Sequence, residues 1–219
     1  LLISVPYGVA FKLVTVSGLI AFPVVGWAMA RLARSPEPVP AFAALAVLEL
    51  YAATGEWPYL DWAQRLAEAG WRLFREGPSL PLPAKEVEEG ALPSGESALA
   101  EALVRLGAVF GGDYRERAEE VLAEKARWLA RYPHALPGAL LAKALWERGT
   151  ELALPLPSPL LETARGAFLP LTQLVLGPAG ALPALEGREA GKAYVCRRGV
   201  CLLPVDRWEE VEARVRGDD

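Results

Sequence analysis

Two kinds of apolar pattern take turns along this chain. Residues 41–53 are almost wholly apolar, with Glu49 the one charge, which predicts a helix covered on most sides. Residues 59–75 are two-faced. Ala63, Leu66, Ala67, Gly70, Leu73 and Phe74 fall on one helical face, and Asp61, Gln64, Arg65, Glu68, Arg72 and Arg75 on the other. The alternation then repeats. Residues 97–110 are apolar apart from Glu101 and Arg105, which stand four apart and are placed to pair. Residues 114–131 are amphipathic, with Tyr114, Ala118, Val121, Leu122, Trp128 and Leu129 on the inward stripe.

The two units also match in their turns. Thr54-Gly55-Glu56-Trp57-Pro58-Tyr59 corresponds to Phe110-Gly111-Gly112-Asp113-Tyr114, and Tyr59 and Ala63 recur 55 positions on as Tyr114 and Ala118. Such a repeat predicts stacked helical hairpins. A third apolar helix over about 135–148 opens another pair, and a poorer one over about 158–167 closes it. Dry helices lining an interior and wet-sided helices wrapping it describe an α/α toroid, here three hairpins of a six-hairpin ring. Beyond Pro170 the period becomes β-like: Leu171–Leu176 is a short apolar run, and Ala193–Cys196 and Val200–Leu203 flank Arg197-Arg198-Gly199. A final helix is expected over 207–216. The expected fold is thus mainly α, a partial α/α toroid of helical hairpins with a small C-terminal β-hairpin or sheet element. Its divisions are an apolar segment over 1–35, a helical-hairpin domain over 41–169 and a small α/β tail over 170–219.

The segment before the hairpins differs from them. Residues 13–30 carry no charge, with Lys12 before them and Arg31 and Arg34 after, and the run has the length at which a membrane span is suspected. The alternative is a buried helix kinked at Pro23 and Gly26. Pro36, Pro38 and Pro40 then form a stiff linker. The chain opens on Leu1 rather than Met, which reads as a fragment, a processed product or an unusual start codon.

Composition narrows the function classes. With 53% hydrophobic and 23% charged residues, a core is affordable and disorder is disfavoured. A net charge of −4, with no basic cluster interleaved with aromatics, gives no case for a nucleic-acid partner. Asn is absent and prolines number 19, which fits a thermophile as well as codon bias. Two cysteines exclude a disulfide scaffold and suit a cytoplasmic protein. With Arg198-Gly199 as a two-residue loop, Cys196 faces Cys201 across a non-hydrogen-bonded pair, Cα atoms about 4.5 Å apart. A cross-strand disulfide is geometrically allowed there, and nearby arginines favour a reactive thiol; the plainer reading is two reduced, half-buried thiols. Two cysteines and the lone His134 make no tetrahedral metal site, and the sequence names no cofactor.

Two stretches resemble one family. Glu89 to Ser97, EGALPSGES, resembles the Asp-Gly-Ala-x-Pro-Ser-Gly-Asn-Ser motif of the thioredoxin-domain-containing YyaL-type family, relatives of a spermatogenesis-associated protein. Ala193 to Asp206, AYVCRRGVCLLPVD, resembles its C-terminal Cys-x-x-x-x-Cys element followed by Pro-Val, and Leu48 to Ala63 fits the preceding hairpin. The resemblance implies a thioredoxin-like domain followed by a toroid similar to six-hairpin glycosidases and N-acylglucosamine 2-epimerases. This sequence shows neither the thioredoxin centre nor the first hairpins, and Leu1 to Arg34 does not resemble the family.

On the toroid plan, Ser94 caps an inner helix at the mouth of the ring, and the free amides of Gly95 and Glu96 would hold an anion or a sugar hydroxyl. Ser94, Gly95 and Ser97 are therefore the candidate saccharide-binding residues. Glu89 and Glu96 are the candidate pair of carboxylates for glycoside or epimerase chemistry, although Glu96 stands where the family has Asn. The competing reading of the same residues is capping and loop structure. Trp57, Trp62, Trp71, Trp128 and Trp146 fit packing better than sugar stacking. Three functions follow: a sugar-binding toroid portion inactive alone, a module that docks a protein partner through the toroid's open edge, and a thiol element at Cys196 and Cys201.

Overall fold

The computed structural model describes residues 39–75, 89–90 and 92–217. The apolar segment over 13–30, Pro36, Pro38 and the charges Lys85 to Glu88 lie outside them. No helix among the described residues is long and apolar enough to cross a membrane.

Five helices build the first part: α1 (Val39–Thr54), α2 (Trp57–Arg75), α3 (Gly95–Phe110), α4 (Gly112–Arg131) and α5 (Pro137–Arg148). Pro40, expected in the linker, is the second residue of α1, where a missing N–H costs nothing. Helix α3 lies between α1 and α5, while α2 packs on α1 and α4 on α3. The expected inner and outer layers result. Ala44, Leu48 and Tyr51 of α1 and Leu99, Leu103 and Leu106 of α3 are all but sealed from water. In α4 burial is confined to one stripe, Ala118, Val121, Leu122, Lys125 and Leu129. The matched alanines Ala63 and Ala118 are both fully buried, and each hairpin turns through a glycine of positive φ, Gly55 or Gly111.

The outer helices are laced together. Arg75 and Arg117 each lie 5.1 Å from the Trp71 ring centre. Arg117 also reaches Glu68 at 2.5 Å, and Gln64 Nε2 donates to the Tyr114 hydroxyl at 3.0 Å. Leu73, expected to face inward, is 49% exposed. Gly70 already sits against Ala41 at the start of α1, so the last turn of α2 outruns its partner.

The third unit departs from expectation. Helix α5 runs directly into a strand, β1 (Thr150–Leu156), where the sequence analysis placed no element. The expected outer helix over 158–167 is the six-residue α6 (Leu161–Gly166), and it crosses from β1 to the parallel strand β2 (Thr172–Pro178). Strands β3 (Tyr194–Arg197) and β4 (Val200–Cys201) complete a sheet of order β2-β1-β3-β4, followed by α7 (Trp208–Arg216). One continuous core joins Leu48 and Leu103 of the helices to Leu152, Val175 and Val195 of the sheet. Its seam is Tyr51, whose buried hydroxyl donates to Leu176 O at 2.7 Å and accepts from Leu176 N at 2.9 Å.

Candidate functional site

Glu89 and residues 93–97 of the motif form one compact knot. Ser94 caps α3, accepting from Ser97 N at 3.2 Å and donating to Ser97 Oγ at 2.9 Å or to Glu89 Oε1 at 3.0 Å. The other Glu89 oxygen accepts from Gly138 N at 2.5 Å, near the start of α5. One carboxylate thus ties together the positive ends of two inner helices, as helix dipoles favour. Gly138 is required for this approach, because a Cβ there would fall 2.6 Å from Pro93 Cβ. Glu96 turns the other way and meets Lys125 of α4 at 2.7 Å, both side chains almost wholly buried. Ser94, Gly95 and Ser97 are buried as well. The structure therefore joins Glu89, Ser94 and Ser97 in one hydrogen-bonded group at the start of α3, with Gly95 in its backbone, while Glu96 pairs apart from them with Lys125. Lys125 was not singled out from the sequence. Its position four residues from both Val121 and Leu129, on the apolar stripe, was the available signal.

A second polar group, half-buried, lies among the inner helices. Arg105 of α3 bonds Glu101 at 2.8 Å, as the spacing predicts, and also Glu49 of α1. Burial works against its charge, but Glu101 and Glu49 outweigh burial and hold the guanidinium above its ordinary pKa. Arg105 Nε is buried and has no hydrogen-bond partner among the described residues. Here α1, α3, α5 and the segment leading into β2 enclose a pocket of about 290 Å³. Glu49, Arg105, Thr172 and Gln173 supply its polar lining, while Leu141, Phe168 and Leu169 are among its apolar walls. Leu171, which also lines it, holds a left-handed φ of 55°, a conformation costly for a branched side chain and concentrated at functional sites. This pocket is not apparent from the hydrophobic pattern of the sequence. Its signal was the pair of isolated charges, Glu49 and Arg105, in helices otherwise dry enough to force them together.

At the sheet, the two-residue loop forms as expected. Arg198 and Gly199 both have positive φ, and Cys196 pairs with Cys201 across β3 and β4. The cysteines form a disulfide with Cα atoms 3.9 Å apart. This replaces the plainer reading of two reduced, half-buried thiols: the turn fixes the register that sets the two side chains face to face, and Cys196 is buried while Cys201 is exposed. Glu151 of β1 lies opposite Cys196 on the other side. Burial pushes the Glu151 carboxyl up, against the pull of Arg115 at 2.7 Å.

Of the tryptophans, Trp71 packs as described, and Trp146 lies beneath Arg198 at 4.8 Å from its ring centre. Trp57 and Trp62 are exposed. His134 is exposed in a short 3₁₀ turn. No cluster of three or more metal-ligating side chains occurs among the described residues.

A comparison with family models gives no match. Among curated proteins, the chain is similar to human spermatogenesis-associated protein 20, 26% identical over 198 residues that cover 75% of this chain and 25% of that protein. Its rat counterpart is 25% identical over 197 residues with the same coverage, and the mouse counterpart is 32% identical over 111 residues, 44% of this chain and 14% of that protein. The chain spans about a quarter of the length of the human and rat relatives. This weak similarity agrees with the thioredoxin-domain family resemblance read from the two motifs.

Proposed function

We propose that this chain is a saccharide-binding helical module of a protein related to the thioredoxin-domain family, and that it has no catalysis of its own. The observation that carries this reading is the pocket of about 290 Å³ at Arg105, close to the lower size for small-molecule sites. Its make-up suits a neutral sugar. Phe168, 59% exposed at the rim, offers a face for a sugar ring. A guanidinium and a carboxylate side by side can bond neighbouring hydroxyls. Glu49 in the lining and Glu101 behind it surround one guanidinium and leave the local charge net negative, which disfavours phosphorylated or acidic sugars. Glycoside chemistry needs two carboxyl groups free to work on opposite sides of a bond. Here Glu49 and Glu101 are engaged by Arg105, Glu89 by helix amides and Glu96 by Lys125. The Ser94 knot braces the inner helices that wall the pocket.

Calorimetric titration with neutral mono- and disaccharides, beside sugar phosphates, tests the reading. Binding of a neutral sugar, weakened about tenfold by Phe168→Ala, which is about 1.4 kcal/mol, is the expected result. Absence of heat with every neutral sugar, or equal affinity in the variant, would overturn it.

A second reading is supported by the edge of α5, which among the described residues has no outer helix like those that cover α1 and α3. Leu140 and Leu141 are exposed there, next to Phe168 in the pocket wall. Such a patch suits an apolar protein partner. Leu140 does not line the pocket, so Leu140→Ser separates the two. If it abolishes self-association in light scattering and leaves sugar binding intact, both readings hold; a strictly monomeric parent protein counts against self-association through this edge.

A further inference from the structure

The disulfide is asymmetric. Cys196 is buried between β1 and β4, whereas Cys201 is exposed on the last strand of the sheet. Arg188 sets Nη2 3.0 Å from Cys201 Sγ. Its other amino nitrogen, Nη1, is buried with no hydrogen-bond partner among the described residues. Glu151 acts on Arg188 through space, but its carboxylate is bonded to Arg115. A guanidinium with an idle buried N–H, resting on a sulfur, favours an anion at that sulfur. An oxidised Cys201 supplies none; a Cys201 thiolate would. Around it, Val200 is 77% and Leu203 80% exposed, and Leu202 is exposed as well.

We propose that Cys196 and Cys201 form a thiol–disulfide exchange site whose substrate is a cysteine on an apolar polypeptide segment. Cys201 is the sulfur that exchanges, Cys196 the resolving sulfur and Arg188 the charge partner of the Cys201 thiolate. In the reducing direction, a substrate thiolate attacks Cys201 Sγ. A new S–S bond forms, the Cys196–Cys201 bond breaks, and Cys196 leaves as a thiolate that takes a proton from solvent. A second substrate thiolate then attacks the substrate sulfur of the mixed disulfide. Cys201 leaves as a thiolate beside Arg188, and two substrate thiols have become one disulfide while the protein disulfide has become two thiols. In the reverse sequence the reduced protein is oxidised back to the Cys196–Cys201 disulfide while a substrate disulfide is reduced to two thiols, and no other oxidant is needed. Exposed apolar side chains on either side of Cys201 favour a cysteine flanked by leucines over a small charged thiol.

The test uses the full chain. Single-cysteine variants Cys196→Ser and Cys201→Ser are reacted at fixed pH with an aromatic disulfide, dithiobis(nitrobenzoate), and the wild-type disulfide is reduced with either a Leu-Cys-Leu peptide or glutathione. Cys201 should react at least tenfold faster than Cys196, and the peptide should reduce the disulfide faster than glutathione. Each pKa unit by which a cation lowers a thiol raises its rate a net factor of about 3 below that pKa, since thiolate gain exceeds lost nucleophilicity. Arg188→Gln in the Cys196→Ser background should therefore slow Cys201 about threefold or more, with Arg188→Lys restoring part of the rate and Arg216→Gln changing nothing. Equal reactivity of the two cysteines, a rate indifferent to Arg188→Gln, or glutathione outpacing the peptide would overturn the proposal. Should Arg188→Gln unfold the hairpin, near-ultraviolet dichroism will register it, and the Lys variant alone decides: a rate no higher than in Arg188→Ala refutes the charge role. Sugar binding is not read in any arm, so this result and the pocket result stand apart.

Discussion

Replacing Tyr51 with Phe removes one oxygen from the seam between helices and sheet. The ring stays, so no cavity opens. What is lost is a hydroxyl that donates to Leu176 O and accepts from Leu176 N. Both backbone groups are buried and lie on the side of β2 away from β1, so no strand can take the hydroxyl's place. A buried backbone group left without a partner costs about 1–3 kcal/mol. Two such groups, less the small gain from no longer burying a hydroxyl, give a loss of about 2–4 kcal/mol. For a chain this size that is roughly 4–16 °C in Tm. Guanidinium unfolding followed by circular dichroism should show the midpoint fall with the slope unchanged, and the Leu176 amide should exchange its hydrogen faster than its neighbours on β2. The phenol also reports on itself. Burial, opposed by the bond to Leu176, pushes it up to about 12. The folded state then binds a proton that the unfolded state has released, so stability falls as pH rises from about 10 through 12. Tyr51→Phe should lack that part of the alkaline limb. A loss under about 0.5 kcal/mol, with no change at Leu176, would refute the assignment of Tyr51 as the seam.

Three further outcomes follow from the same geometry. Gly138→Ala should destabilise by about 1–3 kcal/mol although alanine is the better helix former, because its Cβ would strike Pro93 and Glu89; a neutral or stabilising result in thermal melts would show the knot to be loose. Lys125→Met and Glu96→Leu should each cost about 3–5 kcal/mol by stranding the other's buried charge, while the two together should recover much of it; additive losses in this double-mutant cycle would argue against a direct pair. Because burial raises the Glu151 carboxyl, its contribution is whole below the unfolded value near 4 and is lost as pH rises through the folded value. Glu151→Gln should therefore gain on the parent protein between pH 4 and 7 in midpoint measurements, and a growing deficit instead would mean that Arg115 wins.

The helical layers were legible because their causes are local: apolar stripes at helical spacing, glycine turns, and a matched tyrosine and alanine in both hairpins. The Cys196–Cys201 register was legible for the same reason, since a two-residue loop fixes its flanking pairs. Strand β1 was not. Leu152, Leu154 and Leu156 alternate as a strand should, but only Gly149 separates the run from α5, Pro155 interrupts it and Pro157 follows it, and its reason for being extended lies in partners at Thr172–Pro178 and Tyr194–Cys196. Of the candidate residues, Glu89 is bound by Gly138, 49 residues on, and Glu96 by Lys125, 125 − 96 = 29 residues on, partners that only tertiary packing supplies. The pocket at Arg105 is likewise a product of tertiary contact.

The sheet has two unlike ends. At β2 the outward backbone of Leu176 is already satisfied by a side chain from α1, so that border is shut. At β4 the border carries only a two-residue strand with Val200 and Leu203 bare. Growth by adding strands thus has one direction open and a stop on the opposite side. A strand added at Leu176 would have to displace the Tyr51 hydroxyl, a cost that a strand added beside β4 would not meet.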